Sequence, residues 1–357
     1  MDPILLKSLF VSRDNTMLET MCRINETAQG IALLVDAEER LLDTITDGDL
    51  RRAVLAGVDL HKAITELRTE QHRPFTMPVG TPRGELASLM RERKLRHIPL
   101  VNDTQRVVDM VQPSDFLVGT AAVGLGISAV VMAGGLGTRL RPLTNETPKP
   151  MLPLGDKPVA EHIIDKLKKN GIRQVYMATH YKAEAFTDHF GDGRAFGMQI
   201  DYIQEETPLG TAGVLAVVPK GENPLLVING DILTDLSYEA MLCFHEENEA
   251  DMTVGVRQFD FSVPYGVVDM EGMELRQVRE KPTQRLFVNA GVYLLERAVA
   301  QHVPTGCRFD MPQLIEILLS LRKRVIGFPI SEYWLDIGHP ADYEQARSDV
   351  QAGRYSQ

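Results

Sequence analysis

The chain has 357 residues, 44% of them hydrophobic and 24% charged. That composition is globular and excludes a largely disordered polymer, and the length calls for two domains or three. The 38 Lys and Arg are outnumbered by 49 Asp and Glu, for a formal charge of −11, which disfavours nucleic-acid phosphates and acidic lipid surfaces as partners. A local basic pocket for a small phosphorylated ligand is compatible with that balance.

Cys22, Cys243 and Cys307 lie far apart and form no CxxC pair, which argues against a disulfide framework or structural zinc and for a reducing compartment. The opening Met1-Asp2-Pro3-Ile4 lacks the basic segment and apolar core of a signal peptide. Phe116 to Thr138 is uncharged for 23 residues, long enough to cross a bilayer, but six of these are glycine. The stretch reads as a linker running into a buried strand. The expectation is a soluble, cytoplasmic protein that binds neither membrane nor nucleic acid.

Taken in chain order, the first feature is a repeat. Ala32-Leu33-Leu34-Val35-Asp36 aligns with Ile98-Pro99-Leu100-Val101-Asn102 at an offset of 66 residues, which also matches Arg40 to Arg106, Asp43 to Asp109 and Asp49 to Asp115. Each unit reads as a helix (around Met17–Asn25 and Arg83–Arg93), an apolar strand, a short polar turn, a second strand and an acidic helix start. One such unit cannot cover its own sheet face, so two should pack together. The pair resembles tandem CBS domains, which bind purine nucleotides between repeats. The resemblance implies that Thr46 and Asp49 in the first repeat, and Asp115 in the second, hold a regulatory nucleotide, Asp49 and Asp115 by its ribose. Gln112 stands where the second repeat should have a hydroxyl residue, and Asp43 and Asp109 replace the usual glycine. The resemblance also implies self-association into a homo-oligomer. A ligand-free spacing module is the alternative.

The expected division is a tandem CBS module over 1–118, a small, apolar linker over 119–126, and a catalytic domain over 127–357. Both parts are acidic: 15 basic and 18 acidic residues precede Ile127, with 23 and 31 after it. Beyond the linker, strand-like runs (Ile127–Ala133, Ile172–Ala178, Leu225–Ile228, Met252–Val256, Val288–Leu295) alternate with helix-like ones. The helical runs are Lys157–Asn170, Thr211–Val218, Ser237–Asn248 and Met311–Arg322. The alternation predicts an α/β fold, a Rossmann-like, mostly parallel sheet with helices on both faces, whose ligands bind beyond the carboxyl ends of the strands.

The predicted first strand of that sheet opens into Gly134-Gly135-Leu136-Gly137-Thr138-Arg139. Glycines let backbone N–H groups approach phosphate oxygens closely, while Arg139, and Lys149 ten residues on, supply cations to a polyphosphate. A dinucleotide fingerprint fails because position 140 is Leu, and no P-loop Gly-Lys-Ser/Thr occurs. The stretch from Gly134 through Pro148-Lys149-Pro150 closely resembles the signature of sugar-1-phosphate nucleotidyltransferases. That resemblance implies Arg139 and Lys149 as catalytic groups and the nucleotide on Gly134, Gly135, Gly137 and Thr138. It also implies Mg²⁺ on Asp231, at a strand end, and on Asp336 in Trp334-Leu335-Asp336. Tyr265-Gly266, Glu280-Lys281 and Asn289 each resemble segments that contact the sugar or its phosphate.

Pro208-Leu209-Gly210-Thr211-Ala212-Gly213 resembles the guanylyltransferase branch of that family, with Gly210 and Thr211 at the nucleotide. Guanine offers two donors, N1–H and the N2 amine, to one carboxylate, and Glu205 is the candidate; uracil or thymine would need only Gln204. The implied reaction joins an NTP, here GTP, to a sugar 1-phosphate such as glucosamine or mannose 1-phosphate, giving an NDP-sugar and pyrophosphate. The order of CBS repeats before such a domain resembles enzymes that make GDP-glucosamine-type donors for legionaminic acid. The alternatives are an inactive nucleotide-sensing protein, a uridylyl- or thymidylyl-transferring homologue, and a metal-dependent glycosyltransferase. The nine histidines, His162, His180 and His339 among them, show no metal-ligand spacing.

Overall fold

The computed structural model describes residues 1–67, 74–116 and 124–355. The chain divides into two compact units, Met1–Ala122 and Val123–Gln357. Positions 119–123 of the expected linker lie outside the described residues; Gly124–Gly126 belong to the second unit.

The first unit repeats one motif. Phe10–Val11 runs parallel to Ile31–Val35, which pairs antiparallel with Leu41–Thr46. In the second copy Met77–Pro78 runs parallel to Ile98–Val101, itself antiparallel to Val107–Val111. Both antiparallel pairs bulge at the same place, between Leu34 and Val35 and between Leu100 and Val101, as the 66-residue offset requires. The helix Met17–Thr27 starts at Thr16, whose hydroxyl accepts the Glu19 N–H while the Glu19 carboxylate accepts the Thr16 N–H. It buries Met17, Met21 and Ile24 at helical spacing.

The second unit is built on a seven-stranded sheet. Its order across the sheet is Gln199–Gln204, Gln174–Thr179, Ser128–Met132, Leu225–Asn229, Thr283–Leu295, Met252–Ser262, Val325–Pro329. The first four are mutually parallel, Thr283–Leu295 is antiparallel to both of its neighbours, and Val325–Pro329 runs parallel to Met252–Ser262. Ser128–Met132 is β-branched at its centre and buried on both faces, as a central parallel strand must be. The helix Val159–Lys169 follows Pro158, buries Val159, Ile163, Ile164 and Leu167, and ends in Lys166, Lys168 and Lys169, cations that complement the carbonyl end.

Several elements differ from the sequence expectation. The expected helix over Thr211–Val218 is a single turn, Gly210–Gly213, followed by a 3-10 turn, Val214–Ala216, because glycines at both ends of the turn favour no longer helix. The edge strands Gln199–Gln204 and Val325–Pro329, and the helices Glu184–Phe190 and Pro340–Gln351, carry weaker apolar periodicity and are found only in the structure. Met252–Ser262 and Thr283–Leu295 run well past their expected ends into an exposed arm. Among the described residues no helix is long and apolar enough to cross a membrane.

Candidate active site

Ser128–Met132 has Gln174–Thr179 on one side and Leu225–Asn229 on the other, both parallel to it. Chain direction across the sheet reverses there, which opens a crevice at the carboxyl ends of the two central strands. The glycine loop leaves one strand end and Asn229-Gly230-Asp231 leaves the other. Gly230 donates to the Met132 carbonyl at 2.9 Å, and a Cβ at position 230 would lie 2.7 Å from that same oxygen. Only glycine lets the two ends close.

Within the loop, Gly137 adopts a positive φ of 61°, and a Cβ there would meet Thr144 at 2.9 Å and the Lys149 Cβ at 3.1 Å. The Thr144 hydroxyl donates to the Gly137 carbonyl at 2.8 Å, folding the loop onto the Lys149–Met151 turn. Gly135 has open space where its side chain would be, leaving its backbone approachable by a ligand. Thr138 and Arg139 are exposed on the turn that follows.

Asp231 and Asp336 lie 105 residues apart in the chain. A short antiparallel ribbon joins them: Ile232 pairs with Asp336, Leu233 with Leu335 and Thr234 with Trp334. The Ile337 N–H closes it on the Asp231 carbonyl at 3.0 Å, and the Trp334 indole N–H anchors the far strand on the Ala290 carbonyl at 2.9 Å. Lys149 Nζ sits 2.5 Å from Asp231 Oδ2. The Asp336 carboxyl is raised above its ordinary value by desolvation in the crevice and then by the Asp231 charge; Lys149 pulls it down, Asp342 raises it again and Arg139 lowers it. Its outer surface stays open to water, so the crowding comes from the crevice walls. Lys149 and Asp231 are paired, and both, with Arg139 more weakly, act on the Asp336 carboxyl, so the structure brings these four into one neighbourhood.

A divalent cation suits this donor set. Asp231 Oδ1 is buried and has no hydrogen-bond partner, an arrangement that costs free energy unless something positive reaches it. Among the described residues no group of three or more His, Cys, Asp or Glu is arranged to hold a metal alone. Two carboxylates supplemented by phosphate oxygens and water are the usual set for Mg²⁺.

Glu205 is buried, and its Oε2 accepts the Leu209 N–H at 2.7 Å. Burial raises its carboxyl, and the Leu209 N–H and His180 partly offset that. Oε1 lies over Gly134, 3.1 Å from where a Cβ would stand. Glu205 and the glycine loop thus meet, although one oxygen is already engaged. Gly210, at φ 78°, and Thr211 lie against Asp310, which accepts the Thr211 N–H at 2.9 Å, while the Thr211 hydroxyl accepts the Met311 N–H at 2.9 Å. Asp310 escaped the sequence reading; its signal was the helix-start pattern Asp310-Met311-Pro312.

Asn289 accepts the Gly291 N–H at 3.0 Å, and Gly291, at φ 70°, packs on Asn229. Tyr265, Gly266, Glu280 and Lys281 sit instead on the exposed arm, with Gly266 against Glu280. Three of the histidines make local structural contacts: His162 meets the Leu154 carbonyl and His180 the Glu205 carbonyl, each at 2.8 Å, and the His339 backbone N–H donates to Asp342.

In the first unit, Asp49 is a helix cap. Its Oδ2 accepts the Thr46 N–H and hydroxyl at 3.0 and 2.8 Å, and Oδ1 accepts from Arg52 at 2.7 Å. Asp115 accepts the Gln112 N–H at 2.7 Å, and the Gln112 side chain reaches Gln29 in the other repeat at 2.5 Å.

A glycine-lined crevice at a sheet's switch point, with paired carboxylates and two cations, defines a phosphate-handling α/β protein. A nucleotidyl transferase family model matches residues 128–353 and a CBS domain model residues 65–118; the chain belongs to the nucleotidyl transferase family. It is 36% identical over 236 residues to mannose-1-phosphate guanylyltransferase of Mycobacterium tuberculosis, a match covering 64% of this chain and 65% of that one. It is 33% identical over 228 residues to D-glycero-alpha-D-manno-heptose 1-phosphate guanylyltransferase of Aneurinibacillus thermoaerophilus, covering 63% and 99%. The chain thus spans less than two thirds of the length of the Mycobacterium relative. The crystal structure of HddC from Yersinia pseudotuberculosis complexed with GMP-PN superposes with a TM-score of 0.50 at 25% identity, covering 62% of this chain and 99% of that one. Members of the family typically use a divalent metal.

Proposed function

We propose that the protein is a sugar-1-phosphate guanylyltransferase, making a GDP-sugar and pyrophosphate from GTP and a hexose 1-phosphate. The observation that carries this reading is the meeting of Arg139, Lys149, Asp231 and Asp336 beside the glycine loop. A phosphate monoester is already an anionic nucleophile. Its oxygen attacks the α-phosphorus, the new P–O bond forms, and the bond to the β-phosphate oxygen breaks, so no strong general base is needed. The chain's work is alignment and charge neutralisation. Gly134, Gly135, Gly137 and Thr138 present backbone N–H groups to the triphosphate, and Arg139 stabilises the departing pyrophosphate. Lys149 leaves Asp231 to meet phosphate charge. A bound Mg²⁺, held by Asp231 and Asp336, would supply the positive charge that offsets repulsion between the two phosphates.

Glu205 Oε1, beside Gly134, is the proposed acceptor for the guanine N–H donors, with Gly210 and Thr211 shaping the same wall. The sugar phosphate is assigned to Tyr265, Gly266, Glu280, Lys281 and Asn289, where glycine admits the ring, Glu and Asn grip hydroxyls and Lys meets phosphate. The 1–118 segment is assigned a regulatory role, a purine nucleotide exchanging with Arg52 at Asp49 and with the Gln112 N–H at Asp115, Thr46 beside it. A cytoplasmic setting goes with these substrates. Incubation with GTP, Mg²⁺ and each of a panel of sugar 1-phosphates, followed by pyrophosphate release, tests the reading. Turnover with UTP or dTTP alone would overturn the base assignment, and no turnover with any NTP would overturn the activity.

A further inference from the structure

Tyr181 and Lys182 follow the carboxyl end of the Gln174–Thr179 strand and reach across to the loop that joins Arg139 to Lys149. The Tyr181 hydroxyl donates to the Asn145 carbonyl at 2.8 Å. Lys182 Nζ donates to the same carbonyl at 3.2 Å, to the Glu146 carbonyl at 2.8 Å and to the Glu146 carboxylate at 3.0 Å. The ammonium also lies 5.5 Å from the centre of the Tyr181 ring. A lysine ammonium has three donors, and here all of them point at two consecutive residues of one loop.

The ion pair itself counts for little, because the Glu146 side chain is 92% exposed. The two carbonyls are the grip. Lys182 holds them from a backbone φ of 50°, a state that a residue with a side chain adopts only at a cost. Glycine would make that turn without strain but could not reach the loop.

The loop is fixed on one side by Leu140 in the core and by the Thr144 hydroxyl on the Gly137 carbonyl, while Asn145 and Glu146 beyond it are exposed. Tyr181 and Lys182 supply the hold there. The preceding residue ties the same segment to the opposite wall: a His180 ring nitrogen meets the Glu205 carbonyl, and the Glu205 N–H donates to the Thr179 carbonyl at 2.8 Å. Residues 180–182 therefore brace the Glu205 wall against the phosphate loop.

We infer that Lys182, assisted by Tyr181, is a positioning residue for nucleotidyl transfer. By fixing Asn145 and Glu146 it sets where Arg139 and Lys149 stand relative to Glu205, so that base and triphosphate are aligned together. It acts through the loop rather than on the substrates. Charged groups carried on a loop need such outside support to keep their geometry, and a misplacement of about 1 Å can cost on the order of 10²-fold in rate. The inference rests on the guanylyltransferase reading and adds to it the device that holds the phosphate loop in register.

Three variants at one position test it. Lys182→Ala and Lys182→Gly both remove the grip, but glycine relieves the strained φ and alanine does not. Lys182→Gly should melt higher than Lys182→Ala, yet both should lose about tenfold or more in kcat for pyrophosphate release, with a smaller rise in KM for GTP. Lys182→Arg, which still donates to both carbonyls, should recover most of the rate. Amides of 143–147 should exchange hydrogen faster in Lys182→Ala than in the wild-type protein. Wild-type rates in the alanine and glycine variants would overturn the role while leaving the transferase reading intact, whereas a wild-type protein inert toward every NTP would overturn both. Rates that follow melting temperature across the variants, an arginine variant no better than alanine, or unchanged exchange at 143–147 would each overturn the role as well.

Discussion

Lys149 Nζ lies 2.5 Å from Asp231 Oδ2, both side chains largely withdrawn from water, while Oδ1 of the same carboxylate is buried without a partner. The lysine thus compensates one oxygen of the carboxylate and leaves the other without a hydrogen bond. Replacing Lys149 by Met sets Asp231 and Asp336 side by side with less compensation. We expect a loss of about 1–3 kcal/mol, below the value for a fully buried pair, with millimolar Mg²⁺ restoring much of the melting temperature. A variant that melts like wild type, with or without Mg²⁺, would show that the pair contributes nothing to the crevice.

Arg139 is exposed on the turn after the glycine loop yet lowers the Asp336 carboxyl. Arg139→Ala should therefore leave thermal stability within about 0.5 kcal/mol and reduce turnover about 10²-fold, the scale of one lost preorganised charge contact. Steady-state pyrophosphate release alongside a thermal melt separates the two effects. Near-normal turnover would remove Arg139 from the chemistry.

Gly230→Ala places a methyl group 2.7 Å from the Met132 carbonyl oxygen, a backbone atom that cannot swing aside. The expected cost is about 1–3 kcal/mol, as for other overpacked sites, seen as a fall in denaturation midpoint. Gly135→Ala, with nothing near its side-chain position, should leave stability unchanged and weaken nucleotide binding, since the methyl group would stand where the phosphates approach.

Asp310 holds the Thr211 N–H and, as first cap of the helix Met311–Ser320, pairs its own N–H with Gln313 at 2.8 Å. Asp310→Ala should cost about 1 kcal/mol of cap stability and raise KM for the nucleotide more than it lowers kcat. Asn at this position still accepts a hydrogen bond and should recover most of both. A kcat effect without a KM effect would mean that the Gly210 turn does not shape the nucleotide wall.

His97 is held down to about 4, chiefly by burial, with a hydrogen bond to the Gln29 backbone raising it and Arg96 lowering it. The folded ring stays neutral where the unfolded ring, near 6.5, takes a proton. Its contribution is therefore complete above pH 6.5 and is lost as pH falls toward 4, by up to about 3 kcal/mol. Melts of wild type and His97→Gln across that window should converge at neutral pH and diverge in acid, the variant losing less. Parallel curves would show that another group governs the acid limb.

The central strands and the glycine loop were legible because they carry local signals: β-branched runs for Ser128–Met132, and glycines with Arg139 immediately after. The Val159–Lys169 helix was legible from its 3.6-residue period. The meeting of Asp231 and Asp336 was not, since it depends on a three-residue ribbon whose strands, Ile232–Thr234 and Trp334–Asp336, are too short to show a period. Asp310 reads as an ordinary helix start, and its contact with Thr211 spans 99 residues. The arm escaped because Phe259, Phe261 and Leu286 look in sequence like core positions, and only the missing flanking strands reveal that nothing in the sheet covers them.

The ribbon that carries the two acidic groups also sets an order on biosynthesis. One half emerges from the ribosome about a hundred residues before the other, so Ile232–Thr234 has no antiparallel partner until Trp334–Asp336 has been translated. The backbone groups that the two short strands share stay with water until then, and the ribbon closes late in the making of the chain.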